Sequence, residues 1–429
     1  MKTRGPWPWV GLLCATATAA YLCRVNVSVA GALLMDELHL SQAQMGRVFS
    51  AFLLGYALFM VPGGVLADRW GTRRVLELVS WWWVAATSLQ MLVGRGPLTG
   101  SVASTVAWLL GLRFVLGVGQ APTFPAAARG VASWVAPDSR ARANGFVIAA
   151  IGLGSAIAPP LVSAVMVRWG WRVALAVSAL PAVAAAVAWR LAGEPPALVP
   201  ASSPVAAPAL EPGSRRVRSP APAGRDLAVL RSRRFVLLTL SYSLQGYVGY
   251  IFVFWFYLYL VQERHFDLLT GAAWSSLPWV LSIASIPLGG WLSDRLVARY
   301  GAVAGRRSVP VAGLALAGVF LSIGAHTAHA WLAAVALALS TALVLCVEGP
   351  FWATMTEIAG ERSGVGGGIM NAGSNVGGLV SPALTPALAA VVGWEPALHV
   401  AAVLSLAAAL LWLGIDPRGP AVAGPPRED

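Results

Sequence analysis

Long apolar runs alternate along the chain with short polar clusters. A bilayer core of about 30 Å calls for ~20 apolar residues per spanning helix, and twelve runs of that kind can be traced. The first six lie near residues 9–34, 46–66, 75–93, 102–127, 143–167 and 171–192. The second six lie near 235–261, 270–292, 308–325, 330–355, 364–392 and 395–413. Between the two sets, residues 193–234 hold eight prolines from Pro195 to Pro222 and the cluster Arg215, Arg216 and Arg218. That composition buries no core and reads as a linker, with a short surface helix before Phe235. The expected architecture is an all-α integral membrane protein of twelve transmembrane helices in two six-helix bundles. Residues 1–192 form the first bundle, 193–234 a cytoplasmic linker, 235–413 the second bundle and 414–429 a cytoplasmic tail. The first run is too long for a cleaved signal peptide and carries Arg24 and Asn26 within it.

Composition closes off the other classes. The chain of 429 residues is 57% hydrophobic and 11% charged, with a mean hydropathy of +0.70, against about 25% charge in an ordinary soluble domain. Too little charge remains to cover a soluble surface, which excludes a soluble enzyme and a disordered scaffold. The net charge of +12 does not indicate nucleic acid, because the cations sit in short loops between apolar runs. Their distribution sets orientation instead. With the N-terminus in the cytoplasm, 23 of the 30 Lys and Arg face inward, five face outward, and Arg24 and Arg113 are embedded. Both termini are therefore expected inside a cell (inner) membrane. Cys14, Cys23 and Cys346 show no disulfide or metal spacing, and the five histidines form no metal pattern. No cofactor, metal or enzymatic activity is expected, and the chain reads as a monomer whose partners are the lipid bilayer and a small solute.

Two loop motifs match across the halves. Gly63-Gly64-Val65-Leu66-Ala67-Asp68-Arg69-Trp70-Gly71-Thr72-Arg73-Arg74 stands between runs 2 and 3, and Gly289-Gly290-Trp291-Leu292-Ser293-Asp294-Arg295 between runs 8 and 9. Small residues allow close helix approach, and Asp68, Arg69, Arg73, Asp294 and Arg295 suit an ionic gate. The alternative is a topology anchor. The paired motif resembles the hallmark loop of the major facilitator superfamily, which implies two six-helix bundles around a central cavity. Further strings resemble its anion:cation symporter branch, to which sialin and bacterial sugar-acid importers belong. These are Tyr21 to Ala30, Ser50-Ala51-Phe52 with Gly55-Tyr56-Ala57, Arg113-Phe114 through Pro125, Trp255 to Leu260, Gly349-Pro350-Phe351-Trp352 and Asn371 to Pro382.

An arginine near the bilayer centre costs about 2.5–3.5 kcal/mol by insertion scales. Tyr21, Arg24 and Ser28 share one helix face, where a guanidinium can grip a carboxylate through two hydrogen bonds; the alternative is a structural arginine bonded to backbone. The resemblance makes Tyr56 an anion contact and associates Arg113 with coupling. Asn371 and Asn375, at i and i+4, can meet substrate hydroxyls or bond between helices. Tyr250, Gln120 and Trp352 complete the candidate site. Where many relatives have an aspartate before the first arginine this chain has Cys23, and where they have a glutamate in run 4 it has Gln120. The resemblance's usual proton route is thereby missing. Glu348 is the one acid deep in an apolar run, and it either carries a proton or braces the structure by neutralising Arg24 or Arg113. The expected function is uptake of a small organic anion, a sugar acid or carboxylate, by alternating access, with proton coupling open. Organophosphate exchange and a non-transporting sensor remain as alternatives.

Overall fold

The computed structural model describes residues 5–95, 101–136, 139–193, 229–360 and 363–418. Most of the expected linker and the end of the tail lie outside these residues. The described chain is helical, in the order α1 (Trp7–Leu38), α2 (Gln42–Trp70), α3 (Thr72–Leu89), α4 (Val102–Gln120), α5 (Thr123–Trp134), α6 (Arg140–Ser178) and α7 (Leu180–Leu191). The second half follows as α8 (Arg233–Phe254), α9 (Phe256–Gln262), α10 (Leu268–Tyr300), α11 (Ala302–His326), α12 (Ala330–Cys346), α13 (Glu348–Ala359), α14 (Ser363–Val392) and α15 (Trp394–Trp412). The short helix expected before Phe235 is a 3-10 turn at Val229–Arg231, after which α8 starts.

Among the described residues, ten helical stretches are long and apolar enough to span a bilayer, and one of them, Arg142–Leu191, has 50 residues. At 1.5 Å per residue that would extend ~75 Å, far beyond a ~30 Å core. Gly170 breaks it with φ 80 and ψ 165, so it is two spans. The shorter α3 carries Arg73, Arg74 and Glu77 in its first turns, where they reach the interface, and it is the twelfth. Pairs α4/α5, α8/α9 and α12/α13 are each one span interrupted by a break.

The motif stretches expected as loops are helical instead. Helix α2 runs to Trp70 and α3 begins at Thr72, and α10 runs to Tyr300 before α11 begins at Ala302. Each reversal takes one residue, Gly71 at φ 80 and Gly301 at φ 81. Gly170 and Gly393 do the same at φ 80 and φ 88. Only glycine adopts this combination of positive φ and extended ψ without a Cβ clash. The four junctions fall between the second and third span of successive three-span groups, and in three of them an aromatic residue precedes the glycine, as Trp70-Gly71, Trp169-Gly170 and Tyr300-Gly301.

Prolines set the breaks. A proline has no N–H to give the carbonyl four residues earlier, and a freed carbonyl in an apolar medium needs another partner. Pro386 frees the carbonyl of Pro382, which accepts from Trp255 Nε1 at 3.0 Å. Pro160 frees that of Ala156, which accepts from Ser276 Oγ at 2.7 Å and so ties α6 to α10 across the halves. Pro350 frees that of Cys346, and the chain breaks at Val347 just before Glu348.

The halves meet at the end bearing the α1–α2 turn. Gln42 donates to Gln262 and Glu263 at 3.3 Å, and Trp394 Nε1 donates to Gln42 at 3.1 Å. Below them Phe49 stacks on Phe254 at 5.0 Å and meets Trp255 edge-on at 5.4 Å. Ser50 donates to the Leu379 carbonyl at 2.7 Å. Gly46 sits so tightly on α14 that a Cβ there would come within 2.1 Å of the Pro382 oxygen. The hydrogen bonds between halves reach inward as far as Asn371, whose Nδ2 lies 3.5 Å from the Met60 sulfur. Among the described residues no hydrogen bond joins the halves nearer the terminus-bearing end.

Candidate substrate site

Arg24 lies at mid-depth in α1 and is 2% exposed. Its Nε donates to Gln120 Oε1 at 3.2 Å and its Nη1 to the Tyr21 hydroxyl at 3.1 Å. The guanidinium carbon lies 4.4 Å from the Tyr21 ring centre, 4.8 Å from Phe52 and 4.7 Å from Tyr56. Its partners are thus side chains, not lipid or main-chain oxygens, and no carboxylate pairs with it among the described residues. A cation on an aromatic face gains about 0.5–2 kcal/mol. Three such faces match the ~2.5–3.5 kcal/mol cost of a central arginine, so the charge is tolerated while its affinity for an anion stays unspent. Gln120 holds it in place, since the Gln120 Nε2 donates to the Ala20 carbonyl at 2.8 Å and this orients Oε1 toward Arg24.

Arg113 stands behind this site. Its Nη2 donates to the Arg24 carbonyl at 3.0 Å and its Nη1 to the Cys23 carbonyl at 3.5 Å, while its buried Nε has no partner. It therefore braces the α1 backbone and adds positive charge behind Arg24. Cys23 is turned toward α6, with its Sγ 3.7 Å from the Ser178 carbonyl, on a different face from Arg24.

In the second half, Glu348 accepts from the Tyr242 hydroxyl at 2.8 Å and from Gln245 Nε2 at 2.9 Å. It forms no ion pair with Arg24 or Arg113, so the expected neutralisation does not occur in this conformation. Tyr250 lies within electrostatic range of both Arg24 and Glu348. Trp352 meets Tyr242 edge-on at 6.5 Å and is 40% exposed. Asn375 Nδ2 donates to the Asn371 carbonyl at 3.0 Å. The candidate residues therefore fall into a cationic group on α1, α2 and α4 and a polar group on α8, α13 and α14, facing one another.

The gate residues are only partly as expected. Asp68 pairs with Arg129 at 3.5 Å, not with Arg69, which is exposed. Arg73 donates to the Trp189 and Arg190 carbonyls at 3.0 Å, capping α7. In the second copy Asp294 pairs with Arg306 at 2.6 Å, and Arg306 also reaches Glu357 at 2.7 Å. Arg295 lies over the Trp291 ring at 5.3 Å. These latches join helices within one half, whereas the aromatic plug of Phe49, Phe254 and Trp255 joins the halves at the far end. Arg306 lies on the helix that directly follows that of Asp294, but Arg129 is three helices beyond Asp68, and nothing local marks it or Phe49. Substituting Asn for Asp294 is expected to slow transport several-fold with little change in substrate affinity, read as a drop in maximal rate at constant half-saturation.

The histidines also differ from expectation. His326 Nδ1 lies 2.7 Å from Glu395 Oε1 and His399 Nε2 3.8 Å from the same oxygen, although 73 residues separate the two histidines in the chain.

Two sets of membrane-spanning helices, with a cation buried among aromatic side chains at mid-depth, have the form of a membrane transporter rather than an enzyme. The chain belongs to the Major Facilitator Superfamily, whose profile matches residues 12–372 and 305–429. Among curated relatives it is 34% identical to the probable sulfoacetate transporter SauU of Cupriavidus necator, over 87% of this chain and 85% of that protein. It is 28% identical to the hexuronate transporter of Bacillus subtilis, over 90% and 88%. Among solved structures it resembles a bacterial homologue of the human lysosomal transporter Spinster in an inward-facing, unoccupied conformation. That likeness has a TM-score of 0.75 at 17% identity, over 95% of this chain and 96% of that one.

Proposed function

We propose that the protein takes up a compact organic acid carrying two negative charges, of the kind named for its sulfoacetate relative, and binds it at Arg24. The observation that carries this reading is a buried guanidinium with no carboxylate partner among the described residues, backed by a second buried cation at Arg113. Together they favour a doubly charged guest. The amide donors that would serve a polyol are largely engaged: Gln120 on Ala20, Asn375 on Asn371, and Asn371 at Met60. That favours a short acid over a hexuronate. Tyr56 and Tyr250 wall the bound anion, while Trp352, Asn371 and Asn375 line its path.

The arginine distribution supports a closed end outside and both termini in the cytoplasm of the cell membrane, which makes this conformation inward-facing on that reading. Residues 1–192 and 235–413 act as the two rocking bundles, 193–234 as the linker and 414–429 as the tail. Counterflow in proteoliposomes tests the substrate. Sulfoacetate inside is expected to drive uptake of labelled sulfoacetate, with glucuronate a weak competitor. Preference for glucuronate would overturn the compact-acid reading.

Glu348 is the proposed proton site, since it is a half-buried acid held by neutral donors and no cation. In Glu348→Gln, substrate-driven alkalinisation is expected to disappear while counterflow persists, because exchange needs no net proton movement. A proton signal unchanged in that variant removes Glu348 from coupling.

A further inference from the structure

We propose that His326, Glu395 and His399 form a binding site for a divalent first-row transition metal at the closed end of the second half, where the end of α11 meets the start of α15. The three donor atoms lie within 4.8 Å of one another. His326 Nδ1 and His399 Nε2 are 2.7 and 3.8 Å from Glu395 Oε1. A tetrahedral zinc with bonds of about 2.0–2.1 Å sets donors roughly 3.3 Å apart. All three side chains are substantially exposed, so shifts of that size need only rotamer adjustment.

The tautomer of His399 also suits a ligand. Its Nδ1 is 3.3 Å from Ser322 Oγ, and donating a proton there leaves the Nε2 lone pair toward Glu395. Metal-bound histidines ordinarily anchor their second nitrogen in this way. His326 is held from behind by Arg264, which donates to the carbonyls of Gly324, Ala325 and Thr327 at 2.9, 2.7 and 2.7 Å. The last turn of α11 is thereby fixed on both sides of the ligand. Glu395 and His399 are one turn apart on α15, so they share a face. Two imidazoles and one carboxylate select zinc, nickel or copper over magnesium or calcium, which take oxygen donors. Water or a solute carboxylate completes the shell.

The place matters because Trp394, next to Glu395, donates to Gln42 of the other half. A metal joining α11 to α15 secures the wall on which that contact closes.

The test uses the full-length protein in detergent, stripped with EDTA and titrated calorimetrically with zinc chloride, with magnesium chloride in parallel. One zinc per chain and no magnesium binding are expected. His399→Asn and Glu395→Gln are expected to abolish zinc binding, and Ser322→Ala to weaken it about tenfold. Melting temperatures in EDTA equal to that of the parent show that the variants fold. No zinc binding by the parent, or binding retained in both His326→Asn and His399→Asn, would overturn the assignment.

Discussion

Arg24→Ala is expected to lower the affinity for the organic anion by about a hundredfold. This corresponds to roughly 2.7 kcal/mol of lost charge-assisted hydrogen bonding, within the range for truncating one side of a buried, hydrogen-bonded charge pair. Thermal stability is expected to hold or rise, since the cation has no carboxylate partner to leave stranded and its removal spares the desolvation cost. Gln120 loses one donor, a small penalty beside that gain. Arg24→Lys is expected to recover only a minor part of the affinity. An ammonium supplies a point charge but not the planar fork, and it would meet the Tyr21, Phe52 and Tyr56 faces less favourably. Substrate-dependent thermal stabilisation and counterflow, measured on the same preparations, check both. Full affinity in Arg24→Ala would falsify the site.

Enlarging Gly46 acts on the conformational equilibrium instead. A Cβ at this position would stand 2.1 Å from the Pro382 oxygen, and that oxygen is main chain, held by Trp255. The helices cannot yield locally, so Gly46→Val is expected to part α2 from α14 at the closed end. Overpacking of this kind costs about 1–3 kcal/mol, a roughly 5- to 160-fold shift away from the state closed at this end. Transport falls accordingly while the anion can still bind. Maleimide labelling of Gln42→Cys, in a chain whose three native cysteines are replaced, should accelerate when Gly46→Val is added. Unchanged labelling together with normal transport would show that this contact does not hold the end shut.

Much of the architecture was legible in the residues. Twelve apolar runs and the segregation of arginine need no tertiary information, because a bilayer sorts residues by local composition. The depth of Arg24 was equally plain, since it has long apolar flanks. Three of the four glycine junctions were also present in the chain as aromatic-glycine pairs, the fourth being Val392-Gly393, but their meaning depends on φ, which composition does not reveal. What stayed hidden were pairings between residues far apart. Asp68 meets Arg129 rather than the adjacent Arg69, because a helix continued through the motif turns Arg69 outward. His326 and His399 look scattered until α11 and α15 pack side by side.

By itself, the sequence determined the solvent, the number of spans, the presence of a cation in hydrocarbon and the loss of the customary acids at positions 23 and 120. Those are properties of single residues or of one helix in a medium of known thickness. The tertiary structure decided which charges are satisfied and which stay free. It turned Arg113 to the α1 backbone, left Arg24 among aromatic faces and gave Glu348 neutral donors. It also decided which end is closed, because the contact of Gly46 with Pro382 and the stack of Phe49 on Phe254 exist only when two bundles dock. Bundle docking is a balance of many close approaches, and no local pattern carries that sum.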